Sequence, residues 1–218
     1  MLIVSSDGTF STATLPRNNV AIAAQHAIQI SNSSTELWSK KFGPFKPKIL
    51  AMGEPLDIIS TNKRAYGDIN DFYKDAVNDW IILQIPMSGK NGEESKFDET
   101  VRIGEAKADD IIFIGGTVVP DSIDLSKPIP LTRLEFQKKT FRLSQGKVNS
   151  VHDNILIFER IAGDELIAGM SGGPIMKLDP QSSDLILVGI YLGTTARALI
   201  FERELGRTVH SLQKMLPN

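Results

Sequence analysis

The chain has 218 residues, 41% of them hydrophobic and 23% charged, with 17 glycines and no cysteine. That composition is ordinary for a globular protein and excludes collagen, coiled coil and a disordered chain. The lack of cysteine excludes a disulfide framework, a thiol nucleophile and any thiolate metal site. Lys and Arg number 24 against 26 Asp and Glu, a formal charge of -2, so no global field draws polyanions and nucleic acid is not an expected partner.

The first ten residues reach Asp7 before an apolar run forms, and no later stretch approaches the roughly 18 uncharged residues of a spanning helix. No membrane segment or exported leader is expected, and a cytoplasmic setting is the most consistent reading. Short apolar runs rich in β-branched residues then recur: Leu2 to Val4, Val20 to Ala24, Ile49 to Met52, Trp80 to Ile85, Ile111 to Ile114, Ile155 to Phe158, Leu185 to Leu192 and Ala198 to Phe201. Each predicts a strand. Between them lie Asp7-Gly8, Asn18-Asn19, Asn91-Gly92, Gly115-Gly116 and Asp179-Pro180, pairs suited to turns.

Pro86 to Glu105 is polar, glycine-containing and charge-rich, a connector between two β modules. After Thr208, a candidate N-cap, Val209, Leu212, Met215 and Leu216 follow a helical period, with Pro217 beyond. The reading is an all-β chain of two modules with a C-terminal α-helix.

Gly169-Met170-Ser171-Gly172-Gly173-Pro174 carries the most information. At average residue frequencies G-x-S-G-G-P arises by chance in roughly three chains per ten thousand of this length. Glycines around one serine let the backbone turn sharply, expose the hydroxyl and aim neighbouring N–H groups at one point, where an oxyanion can form. A plain glycine-rich turn is the alternative. A serine nucleophile needs a base and a group to orient that base.

The chain has three histidines. His26 ends the strand-like run from Val20, His152 lies in a predicted hairpin turn, and His210 in the predicted terminal helix, so His26 is the best-placed base. No two of them have the spacing of a helical metal pair, and no metal or cofactor is assigned. Asp79 heads the apolar run Trp80 to Ile85, where its carboxylate could be partly buried. Asp57, Asp68, Asp71 and Asp75 are the alternatives, the last three in a polar loop.

These motifs in the order His26, Asp79, Ser171 resemble the trypsin-like (chymotrypsin-fold) serine peptidases, of the disulfide-free type found in bacteria and viruses. The resemblance implies two antiparallel six-stranded β-barrels around a cleft: 1–88 with His26 and Asp79, a linker at 89–105, 106–205 with Ser171, and a helix at 206–218. It implies that Ser171 attacks, His26 is its base and Asp79 orients the imidazole. The amides of Gly169 and Ser171 would form the oxyanion hole. The segment Gly189-Ile190-Tyr191-Leu192-Gly193 resembles the family's substrate-pairing strand, with Tyr191 and Gly193 as substrate-binding residues, and Glu165, six residues before the serine, falls where a primary-pocket carboxylate would favour Arg or Lys in the substrate. Met170 stands where animal digestive members have Asp, so activation by N-terminal cleavage is not expected. The implied protein is a monomeric endopeptidase acting on a protein or peptide substrate.

Two rivals remain. G-x-S-x-G also fits the nucleophile elbow of α/β-hydrolases, with Asp184 and His210 completing the set. A peptidase-like fold could also serve only to bind a peptide or protein. The basic clusters Lys40, Lys41, Lys46, Lys48 and Arg133, Lys138, Lys139, Arg142, Lys147 read as solvated surface.

Overall fold

The computed structural model describes residues 2–4, 10–17, 19–27, 57–61, 76–84, 101–123, 133–194 and 203–216. The C-terminal half closes on itself. Six strands, β6 (Ile111–Thr117), β7 (Phe141–His152), β8 (Ile155–Gly163), β9 (Pro174–Leu178), β10 (Leu185–Thr194) and β11 (Glu204–Thr208), form a barrel in the order β6-β7-β8-β11-β10-β9, with β9 returning to β6. The β7–β8 hairpin turns through Asp153 and Asn154, both with positive φ (48° and 68°), as residues with short polar side chains tolerate.

The N-terminal half is a five-stranded sheet. β1 (Leu2–Val4), β2 (Phe10–Arg17), β3 (Val20–Ala23), β4 (Asp57–Thr61) and β5 (Ile81–Gln84) run in the order β1-β2-β3-β5-β4, every pair antiparallel. Both halves walk through three consecutive strands and then meet the remaining ones in reverse, a similarity of topology that no repeat in the residues announces. The described residues do not close this sheet into a second six-stranded barrel. The predicted strands Ile49 to Met52 and Ala198 to Phe201 lie outside them.

β3 and β5 read as unbroken apolar runs because both faces are covered. Val20, Ile22 and Ile82 face a cluster shared with Leu187, Ile190, Leu192, Leu205, Val209, Leu212 and Leu216 of the C-terminal half. Ala21, Ala23, Ile81 and Leu83 face a second cluster with Ile3 and Ala13. The barrel interior holds Ile112, Ile114, Val148, Leu156, Phe158, Met170, Ile175 and Val188. At roughly 1.5–3 kcal/mol for each large side chain fully buried, the shared cluster binds the two halves strongly.

Two expectations are corrected, and one element is new. The chain end is a strand followed by a 3-10 turn, His210–Met215, rather than an α-helix from 206: Thr208 is paired with Gly189 and cannot cap, and Val209 takes the cap position without a side-chain hydrogen bond. Gly115 and Gly116 lie within β6 rather than in a turn, and Gly116 packs where a Cβ would sit 2.7 Å from the buried Met170 side chain. An α-helix not foreseen, α1 (Arg133–Thr140), precedes β7. Its Lys138 and Lys139 are exposed, while Arg142 donates to the carbonyls of Lys139 and Phe141 and Lys147 pairs with Asp109 at 2.8 Å. The first basic cluster is outside the described residues.

Of the linker, 101–105 is described and is tied to both halves: the Val101 amide donates to the Pro16 carbonyl, while Arg102 and Gly104 bracket Leu187 through backbone hydrogen bonds. Among the described residues no helix is long and apolar enough to cross a membrane.

Candidate functional site

The β3–β5 register builds half of the site. Ala23 pairs with Ile81, so the three residues after Ala23 and the two before Ile81 emerge at the same sheet end. That brings His26 to Asp79. The Asp79 carboxylate is wholly buried and accepts twice from His26, from its backbone N–H at 2.8 Å and from ring Nδ1 at 2.7 Å. With Nδ1 carrying the proton toward a carboxylate, a neutral imidazole presents Nε2 as an acceptor. Nε2 lies 3.2 Å from Ser171 Oγ.

Ser171 comes from the other half, in the loop between β8 and β9. Almost every polar backbone group from Gly169 to Gly173 has an assigned partner. The Met170 amide donates to Ile167, Gly172 to Tyr191 and Gly173 to Met170, and the Gly173 carbonyl accepts from Tyr191. The remaining carbonyls are held by β2: Thr12 Oγ1 donates to Gly169 at 2.8 Å, Ser11 Oγ to Ser171 at 2.7 Å and Thr14 Oγ1 to Gly172 at 2.8 Å. Among the described residues the amides of Gly169 and Ser171 donate to nothing.

Glycine is required at two points of this loop. Gly172 has φ +84°, and a Cβ there would meet the Thr12 carbonyl at 2.2 Å. Gly169 has φ +97° and lies against the Phe10 ring, which a Cβ would meet at 2.4 Å. Met170 is fully buried in the barrel core, anchoring the residue before the serine.

The Ser171 hydroxyl is also 3.1 Å from the Leu192 carbonyl. One proton cannot serve both acceptors. When His26 is neutral the hydroxyl can donate to Nε2; when His26 is protonated, Nε2 becomes a donor and the hydroxyl turns to Leu192. Chemically, the constellation is a hydroxyl next to a base whose tautomer is fixed by a buried carboxylate, with two amides unengaged beside it.

No protein-family model and no curated protein sequence matches this chain.

The other residues singled out in the sequence take different places. Glu165 is exposed on the segment after Gly163, next to Asp164, whose carboxylate accepts from the Leu143 amide at 2.9 Å. Tyr191 faces inward, 2% exposed, with its hydroxyl donating to Glu204 at 2.7 Å and its ring edge-on to Phe158. Its backbone N–H and carbonyl are the groups that grip Gly173 and Gly172. Gly193 follows the β10 bulge, half-buried, and pairs with Leu205.

The rival set does not assemble. His210 pairs with Glu105 at 3.3 Å, Asp184 lies 3.9 Å from Arg102, and a strand rather than a helix follows the serine. His152 is exposed at the end of β7. Asp57 is in β4, and Asp68, Asp71 and Asp75 are outside the described residues. Among the described residues no group of three or more His, Asp and Glu is arranged to hold a metal.

Four participants were missed in the sequence: Ser11, Thr12, Thr14 and the Leu192 carbonyl. Hydroxyl residues in a strand carry no distinctive motif, and a backbone carbonyl has no residue signature at all.

Proposed function

We propose that the protein is a serine endopeptidase of the trypsin-like kind, cutting peptide bonds through an acyl-enzyme. The observation that carries this reading is the continuous chain of contacts from Asp79 through His26 to Ser171. Ser171 Oγ attacks the scissile carbonyl carbon as its proton passes to His26 Nε2. The carbonyl oxygen becomes an oxyanion and is received by the amides of Gly169 and Ser171, each worth about 10²–10³ in rate where measured in comparable sites. His26 then gives its proton to the leaving nitrogen, which departs as an amine and leaves an ester on Ser171. Water, deprotonated by His26, attacks that ester and releases the new carboxyl end and the free serine.

The Leu192 carbonyl lies 3.1 Å from the Ser171 hydroxyl, and the substrate lies along the Tyr191–Gly193 segment as an added strand. The carboxylate of Asp79 stabilises the imidazolium formed at each proton transfer.

The test is cleavage of an unfolded polypeptide by the wild type and by Ser171→Ala, with new N-termini mapped by mass spectrometry. New termini with the wild type alone are expected. Stable capture of the intact polypeptide by both proteins, with no cleavage, would instead indicate a binding module.

A further inference from the structure

Arg207 is the one charged side chain besides Asp79 among the buried residues described, at 5% exposed, and among the described residues it bonds to no carboxylate. Its Nε donates to the Val77 carbonyl at 2.7 Å. Its Nη1 reaches the carbonyls of Asn154 at 3.4 Å and Thr208 at 2.9 Å and the hydroxyls of Thr208 at 3.2 Å and Ser211 at 2.8 Å. Every acceptor is neutral. Burial pushes the guanidinium down to about 10. A cation kept dry without a counter-charge is costly unless its donors do something a neutral side chain does less well. The guanidinium offers a rigid planar fork, able to join two separate groups of acceptors in a fixed relation.

Those two groups belong to different halves. Asn154, Thr208 and Ser211 belong to the C-terminal half. Val77 is the middle residue of the 3-10 turn Ala76–Asn78, which leads directly into Asp79. The turn's own hydrogen bonds use its other carbonyls: the Asp79 amide donates to Ala76 at 3.2 Å and the Trp80 amide to Asn78 at 3.0 Å. That leaves the Val77 carbonyl to Arg207. Ser171 also belongs to the C-terminal half, so this bond fixes the turn carrying the carboxylate to the half carrying the nucleophile.

We propose that Arg207 is a positioning residue, pinning the turn before Asp79 to the barrel so that Asp79 is held against His26 while His26 faces Ser171. Both Asp79 oxygens are engaged by His26, so displacement of the turn disturbs two hydrogen bonds together. Misplacement of about 1 Å in such a constellation costs about 100-fold in rate. The inference rests on the peptidase reading for its consequence in rate, but not for its effect on the Asp79–His26 pair.

The experiment compares wild type with Arg207→Lys, Arg207→Met and Ser211→Ala. It measures the rate of fluorophosphonate adduct formation at Ser171 and the low-field proton resonance of His26 Nδ1–H. Folded Arg207 variants are expected to label about 100-fold more slowly and to lose or shift that resonance. Ser211→Ala, which leaves the Val77 bond in place, is expected to label within about twofold of wild type. Arg207→Lys keeps the charge without the fork, and carries the test should Arg207→Met not fold. A folded Arg207→Lys that labels at the wild-type rate with an unchanged resonance overturns the proposal. A wild type that shows the resonance but does not label counts against the peptidase reading, and the resonance in Arg207→Lys then decides the role of Arg207. A wild type with neither signal overturns both, since there is then no held pair to position.

Discussion

Asp79 is fully enclosed and spends both carboxylate oxygens on one residue. Its role is therefore more exacting than burying a charge. In Asp79→Asn the amide oxygen can still accept from the His26 backbone, but the amide nitrogen must donate where a carboxylate oxygen accepted. That forces the imidazole proton onto Nε2 and removes the acceptor facing Ser171. The expected outcome is a protein of nearly unchanged fold whose turnover falls about 10⁴-fold, read as the labelling or cleavage rate beside the circular dichroism spectrum. Turnover within tenfold of wild type would remove Asp79 from the mechanism.

Thr12 is the comparable residue on the other side of the nucleophile. Its hydroxyl donates to the Gly169 carbonyl and accepts from the Thr117 amide, both at 2.8 Å. Thr12→Val keeps the shape and strands both partners. At about 1–3 kcal/mol for an unsatisfied buried group, a loss of about 3 kcal/mol in urea unfolding is expected, and a change under 1 kcal/mol would show that the loop is held by other contacts.

At the scale of elements, strands whose buried positions are apolar are legible in the sequence, and strands whose buried positions are polar are not. Ile81–Gln84 and Leu185–Thr194 are dense in Ile and Leu because both faces pack. Phe10–Arg17 is buried too, but its Ser11, Thr12 and Thr14 point hydroxyls at the serine loop, which breaks the apolar alternation that announces a strand. Glu204–Thr208 is obscured in the same way by a buried arginine. The terminal segment was misread because helical spacing in six residues suits a 3-10 turn as well as an α-helix.

The β9–β10 connection offers a test by pH. The Asp179 carboxyl is held below its ordinary value of 3.8, first by the Gln181 N–H and then by the Arg102 guanidinium. A carboxyl lowered on folding stabilises the folded turn at pH above its unfolded value, and that contribution is lost as the pH falls through the lowered folded value. The Gln181 amide resonance should accordingly titrate with a midpoint below 3.8; a midpoint above it would mean that the turn does not bind the carboxylate.

On the scale of the whole molecule, the site exists because two halves meet. His26 and Asp79 ride on the ends of two paired strands, and Ser171 on a loop gripped by β2 of the opposite half. Joining them is one shared apolar cluster, to which Leu212 of the terminal turn belongs at 1% exposed. Leu212→Ala should cost about 2–5 kcal/mol. Because the cluster is shared, the unfolding of both halves should move together, with coincident transitions by tryptophan fluorescence and far-ultraviolet circular dichroism. Separate transitions would show that each half stands alone.

The central claim is that Ser171 is an activated nucleophile, and a fluorophosphonate probe followed by peptide mapping tests it without knowledge of the substrate. The account predicts one adduct on the wild type, located at Ser171, and none on Ser171→Ala. An unlabelled wild type, or an adduct of equal yield on Ser171→Ala, would contradict it.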